Sequence, residues 1–138
     1  MSPSKDERQT RADFSARYSV RPSRLIDDIE RRVLGAAWGA NGFTTVRQAD
    51  LLGAALELAE GNRLLDIGTG RGWPGLYLAA RTGCEVVAAD LPIEGIQIAL
   101  RRAAEEEVVC LGGVVSSARD LPFAPGSFDA TVHTDVLC

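Results

Sequence analysis

The sequence predicts an α/β fold in which helices precede a parallel sheet. Three observations carry that prediction. Residues 63–67 and 85–89 are short apolar runs without the alternation of a half-solvated strand, the pattern of strands buried on both faces. Each is followed by a segment whose apolar residues recur at helical spacing. Strand and helix therefore alternate, and consecutive parallel strands require right-handed crossovers. The first run ends in an acid and passes into a glycine-rich turn, Asp66-Ile67-Gly68-Thr69-Gly70-Arg71-Gly72, a backbone suited to close approach by a ligand.

The elements follow in order. Residues 1–19 are polar, with Phe14 and Tyr18 at helical spacing, and are expected to form a frayed lead-in and a short helix. Arg21-Pro22-Ser23 breaks it, because proline restricts the residue before it. Ser23 caps a second helix with Leu25, Ile26, Ile29, Val33, Leu34 and Ala37 on its apolar face, expected to run to the 39–42 turn. Thr44 or Thr45 caps a third, with Val46, Ala49, Leu52, Ala55, Leu56 and Ala59 on one face and Gly61-Asn62 at its end. Strand one is 63–67. Pro74 opens a helix over 74–81, where its missing N–H costs nothing. Strand two is 85–89. A helix over 92–106 aligns Ile93, Ile96, Ala99, Leu100 and Ala103. Strand three lies within 108–115, interrupted by Gly112-Gly113, and strand four spans 128–133.

Composition narrows the function class. The chain has 138 residues, is 46% hydrophobic and 25% charged, and has the balance of one soluble globular domain. A net charge of −4 argues against non-specific binding to nucleic acid or an anionic membrane. No apolar run approaches the roughly 18 residues that span a bilayer, and no apolar signal-peptide core follows Met1, so cytoplasm is the expected compartment. Cys84, Cys110 and Cys138 are odd in number and widely spaced, which suggests neither a disulfide framework nor a zinc site. His133 is the one histidine, so no metal site is expected.

Three segments then stand in a telling order. They are Leu64-Leu65-Asp66-Ile67-Gly68-Thr69-Gly70-Arg71-Gly72, then Val86-Val87-Ala88-Ala89-Asp90, then Asp120-Leu121-Pro122-Phe123 followed by Ser127-Phe128-Asp129-Ala130-Thr131-Val132. Over residues 60–138 the chain resembles the class I S-adenosyl-L-methionine (SAM)-dependent methyltransferases. The resemblance implies a Rossmann-like sheet, SAM as cofactor and a small-molecule methyl acceptor, with no catalytic residue assigned. It implies that Asp66, Gly68, Gly70 and Gly72 line the methionine part of SAM, that Asp90 holds both ribose hydroxyls, and that Leu91 lies against the adenine. Ser117, Ala118 and Arg119 would meet the adenine edge, and His133 would sit near the methionine amine. Many relatives carry an aspartate where this chain has Ser117, so the backbone of Ala118 or Arg119 must do more here. The resemblance also divides the chain into a helical cap segment, 1–60, and a SAM-binding Rossmann-like domain, 61–138. In the cap, Tyr18, Trp38, Asn41, Phe43 and Thr44 are placed to shape the substrate pocket.

A competing reading stays open. Gly70-Arg71-Gly72-Trp73-Pro74-Gly75 spells G-x-G-x-x-G, and Asp90 follows Gly70 by 20 residues, as in an NAD(P)- or FAD-binding site. Three details favour SAM. A carboxylate at Asp66 repels a pyrophosphate but attracts an ammonium and a sulfonium. Pro74 removes a donor that a pyrophosphate would use. The Asp-Leu-Pro-Phe loop has no counterpart in the dinucleotide fingerprint. The resembling family has a seven-stranded sheet, ordered 3-2-1-4-5-7-6, of which this chain supplies strands one to four. The expectation is an incomplete domain whose strand-four edge is covered by a second copy or a complementing chain. A truncated, non-catalytic SAM-binding protein is the corresponding alternative to an active enzyme.

Overall fold

A computed structural model describes residues 4–40 and 42–136. In chain order the elements are α1 (Lys5–Ser19), α2 (Arg24–Leu34), α3 (Val46–Ala55), β1 (Arg63–Ile67), α4 (Gly75–Thr82), β2 (Glu85–Asp90), α5 (Ile93–Glu105), β3 (Cys110–Val115) and β4 (Ala130–His133). The strands form one parallel sheet in the order β3-β2-β1-β4. Fold class, strand sequence and strand order match the expectation. Asn41 and Cys138 lie outside the described residues.

The register decides what each sheet face carries. Leu64 pairs with Val86 and Ala130, and Asp66 pairs with Ala88 and Val132. Side chains alternate along a strand, so these residues share one face. That face packs against Leu76 and Leu78 of α4 and Ile96, Ala99 and Ala103 of α5, with Ala49 of α3 in the same core cluster. Asp66 therefore enters a hydrophobic layer with no exposed surface. Thr131 and His133 fall on the opposite face and are exposed.

The helix boundaries follow local chemistry. α1 is longer than expected because Ser4 and Glu7 form a reciprocal capping box before a polar helix. Thr45, not Thr44, caps α3, again with a capping box, to Gln48. α3 ends at Ala55, well before the expected Gly61-Asn62. Pro74 sits at the cap of α4 and not inside its first turn. β4 begins at Ala130, two positions after the expected Phe128, whose ring instead packs edge-on against Phe123 at 4.9 Å. The Asp129 carboxylate accepts from the Arg63 amide at 2.7 Å, which registers the starts of β4 and β1.

α2 departs most from expectation. Gly35, at φ +96°, ends it before the 39–42 turn. Its orientation differs as well. Leu25, Ile26, Ile29 and Val33 are 67, 50, 47 and 64% exposed, while Glu30 and Leu34 are buried. The reason is a hydrogen-bond requirement. The chain after α2 presents the amides of Trp38 and Ala40 inward, and Glu30 Oε1 accepts both, at 2.7 and 3.0 Å. Leaving such donors unpaired costs about 1–3 kcal/mol each, enough to rotate a short helix away from its apolar stripe.

Gly113 of β3 faces α5, and a Cβ built there would collide with Ile96. Gly113→Val should destabilise the chain by about 1–3 kcal/mol through overpacking. Urea unfolding would show it as a lower midpoint at unchanged slope.

Candidate functional site

The turn after β1 is held in shape almost entirely by its own amides. Those of Gly68 and Thr69 donate to the Ala89 carbonyl at 2.8 and 3.1 Å, which folds the turn onto the end of β2. Gly72 and Trp73 donate to the Thr69 carbonyl, and Leu76 donates to that of Gly72. The Gly70 amide donates to Asp90 Oδ2 at 2.7 Å, and the Leu91 amide to Asp90 Oδ1 at 2.7 Å. Gly68 and Gly70 have φ of +72° and +56°, a region open to glycine at little cost.

Asp66 works beneath this turn. Its Oδ2 accepts from Thr69 Oγ1 at 2.8 Å and from the Gly75 amide at 2.9 Å. It thereby caps α4 from below, the role that Pro74 leaves vacant because it has no side-chain donor or acceptor. Its Oδ1 has no partner. Burial pushes the Asp66 carboxyl up to about 7; the Thr69 and Gly75 bonds oppose that shift and the Asp90 charge adds to it. Burial also raises the Asp90 carboxyl, against the two amides that favour its ionised form.

Above the turn lies a cleft of about 380 Å³. Its floor is Ile67 to Arg71, one end is Asp90, Leu91 and Pro92, and Ser116 and Ala118 border it after β3. Thr10, Phe14 and Tyr18 of α1 form a wall, and Gly39, Gly42, Trp73 and Thr134 to Val136 close the remainder. α1 is fastened there by Ser15 Oγ donating to Glu94 at 2.8 Å and by Arg71 Nη2 donating to the Arg17 and Val20 carbonyls. The 42–44 segment is fastened by Asp135 Oδ2, which accepts from the Phe43 and Thr44 amides and from Thr44 Oγ1. Trp73 Nε1 donates to the Thr44 carbonyl at 3.1 Å.

Of the cap residues expected to shape the pocket, Tyr18 lines this cleft and Trp38, Phe43 and Thr44 do not; of the ten residues expected to hold SAM, Gly68, Gly70, Asp90, Leu91 and Ala118 border it. The other five do not. Asp66 is sealed under the turn, and Gly72 is turned toward the Leu76 side chain. The Ser117 hydroxyl donates to Glu7 of α1 in a short hydrogen bond and accepts from the Arg119 amide, so it ties the loop after β3 to α1. Arg119 is exposed outside the cleft. His133 points from the face opposite Asp66, because its neighbour Val132 is the one that enters the core.

Sequence reasoning missed Thr10, Ser116 and the 134–136 segment. The spacing of Phe14 and Tyr18 was the signal for the α1 wall. Nothing in the local pattern marks residues 134–136, which reach the cleft only because β4 ends beside β1.

A family model described as a methyltransferase domain matches residues 64–138. Methyltransferase GfsG of Streptomyces halstedii is 31% identical over 84 residues, 60% of this chain and 30% of that protein. Among solved structures, the YcgJ protein of Bacillus subtilis is similar at 28% identity and a TM-score of 0.55, over 62% of this chain and 36% of that one. A SAM-dependent methyltransferase from Thiobacillus denitrificans, solved with S-adenosyl-L-homocysteine, shares the fold at a TM-score of 0.60 and 23% identity, over 84% of this chain and 45% of that one. The chain spans less than a third of the curated relative that it matches.

The raised Asp66 carboxyl makes stability depend on pH in a definite direction. An unfolded Asp66 ionises near 3.8, whereas the folded one keeps its proton to about 7. The folded state holds the extra proton in that interval, so this contribution is full below the lower value and is lost as pH rises through the upper one. Asp66→Asn should flatten the dependence. The check is urea unfolding of both proteins at about pH 5 and about pH 8, where the native chain should lose more stability at the higher pH than the variant, which keeps the raised Asp90.

Proposed function

The chain belongs to the methyltransferase-domain family, and from that premise we propose that its cleft binds SAM, in a protein that methylates a small-molecule acceptor. The observation that carries this reading is how the amides of the glycine turn are used. Those of residues 68, 69, 70, 72, 73, 75 and 76 all donate within the chain. A pyrophosphate needs several such donors free at a helix start, and these seven are engaged, which leaves among the described residues of the turn and first helical turn the amides of Arg71 and Tyr77. Asp90, which borders the cleft, also disfavours a dianion and suits a ligand that brings hydroxyls. This argues against NAD(P) or FAD.

The described residues fit SAM in size and chemistry. The volume lies in the range of small-molecule sites. Each Asp90 oxygen has spent one acceptor site on an amide and keeps another for a ribose hydroxyl. Leu91 follows Asp90 directly and offers an apolar surface, and Ala118 also borders the cleft. Gly68 and Gly70 border the cleft at the turn, with the Val136 side chain packed over Gly68, and the methionine part would lie along this border. In this reading Asp66, Gly72 and Ser117 act around the ligand by shaping the turn and tying the loop after β3 to α1.

Bound there, SAM supplies an electrophilic methyl group on sulfur. The chain's part is to hold the ligand's ribose end at Asp90, to exclude water with Phe14 and Tyr18, and to keep the turn rigid. Transfer then draws on positioning and desolvation, and no base is assigned. The helices of residues 1–60 serve as a cap on the domain of residues 61–138. Among the described residues, no helix is long and apolar enough to cross a membrane. We place the protein in the cytoplasm. Among the described residues β4 pairs only with β1, and its other edge is where a second copy or a complementing chain would add.

Calorimetric titration should show SAM or S-adenosylhomocysteine binding and no NAD binding; the reverse result would overturn this reading. Asp90→Ala should weaken SAM by about 1–3 kcal/mol, several-fold to a hundredfold, with the fold intact by circular dichroism. Unchanged affinity in a folded Asp90→Ala chain would remove Asp90 from the ribose site.

A further inference from the structure

Among the described residues Arg71 is the only basic side chain that is buried, at 8% exposure. Its acceptors are neutral. Nη2 donates to the carbonyls of Arg17 and Val20 at 3.0 and 3.2 Å, where α1 ends. The guanidinium lies over the Tyr18 ring, 5.6 Å from its centre. Nε is buried with no partner. No carboxylate among the described residues stands within ion-pair distance of it. Glu30 and Asp27 act on it only through space, and Glu30 Oε1 is occupied by two amides.

A second guanidinium adds to the imbalance. A Cβ built on Gly39 would lie 3.0 Å from Arg102 Nη2 and 3.0 Å from Arg71 Cβ, so the two side chains bracket Gly39. Arg102 Nη1 also has a carbonyl for acceptor, that of Ala37 at 3.1 Å. Burial lowers the Arg71 pKa from its usual value, and the Arg102 charge lowers it further. Arg71, Tyr18 and Gly39 all line the cleft. A buried cation answered only by carbonyls is costly unless something else neutralises it.

We propose that Arg71, reinforced by Arg102, is the receptor for a carboxylate bound in the cleft. The unpartnered Nε beside a clasped Nη2 gives the ligand a donor whose plane is already fixed. A single negative charge suits the site better than a phosphate, because the Asp90 carboxylate borders the same cleft. Two ligands can bring that carboxylate: the amino-acid end of SAM, or an acidic methyl acceptor. The first source rests on the SAM reading of the cleft, and the second does not.

The test measures S-adenosylhomocysteine and the analogue lacking only its carboxylate, by calorimetry, on the native chain and on Arg71→Met. It adds benzoate, a generic aromatic carboxylate, to both proteins with and without saturating S-adenosylhomocysteine. If the cofactor brings the carboxylate, the native chain prefers S-adenosylhomocysteine by about ten- to a hundredfold, and Arg71→Met erases that preference. If the acceptor brings it, the two nucleosides bind alike, and benzoate binds the saturated native chain but not the variant. Should Arg71→Met fail to fold, Arg71→Lys replaces it, and loss of the planar fork should lower the same preference several-fold. Neither a carboxylate preference nor Arg71-dependent benzoate binding would overturn the proposal while leaving the SAM reading intact, provided that S-adenosylhomocysteine binds. No binding of either nucleoside would overturn the SAM reading instead, and benzoate on the protein alone would then decide the role of Arg71.

Discussion

The Asp66 carboxylate enters the layer between sheet and helices, and the turn that follows is arranged around it. A charged or polar group in that layer is tolerated only if donors reach it. The chain supplies two: the Thr69 hydroxyl from the turn and the Gly75 amide from the start of α4. Both must approach from one side, which draws the turn down over the strand end. Gly75 can come this close only because it has no Cβ; one built there would lie 2.5 Å from Asp66 Oδ2. A single acid thus fixes the end of β1, the path of the turn and the start of α4.

That arrangement determines what the cleft can offer. With one carboxylate drawing the Gly75 amide below, a second, Asp90, drawing the Gly70 amide beside it, and the Ala89 carbonyl taking two more, the turn has little hydrogen-bonding capacity left for an anion. What it presents is the remaining acceptor capacity of Asp90 beside a backbone that Val136 packs against at Gly68. A glycine-rich turn followed by a helix is commonly associated with phosphate binding. Here the same backbone shape spends most of its amides within the chain, and the difference begins with the acid that precedes the glycines.

The sheet was legible in the sequence because parallel strands buried on both faces are continuous apolar runs, and β1 and β2 agree with expectation to within a residue. Asp90 and the glycine turn were legible because an acid at a strand end and a glycine series are local signals. The α2 orientation was not. Its apolar stripe is genuine, yet Glu30 is turned inward by amides several residues away, and periodicity carries no information about such a demand. The same limit explains the cleft walls. Ser116 borders the cleft while Ser117 bonds to α1, a one-residue difference set by the alternation after β3 and invisible without the register. His133 and the 134–136 segment differ for a similar reason: the strand-end position faces away, and the chain returns to the cleft only after leaving the sheet.

The N-terminal helices are joined to the sheet domain by the apolar packing of α3 and by directional polar contacts. Asp135 grips Thr44 through both amide and hydroxyl, Trp73 takes the Thr44 carbonyl, Tyr77 donates to Asp50 at 2.7 Å, and Arg71 clasps the end of α1. An apolar interface tolerates small slips, because burial depends on area and not on angle. Hydrogen bonds weaken steeply once misaligned. Fastening Thr44 from two sides therefore sets the distance between the 42–44 segment and the glycine turn more sharply than packing alone could. Gly42 shows how narrow the tolerance is, since a Cβ there would overlap the Asp135 carboxylate. The same economy explains why α2 can leave its apolar stripe outside: α2 is held by what Glu30 accepts, and burial of Leu34 completes the contact.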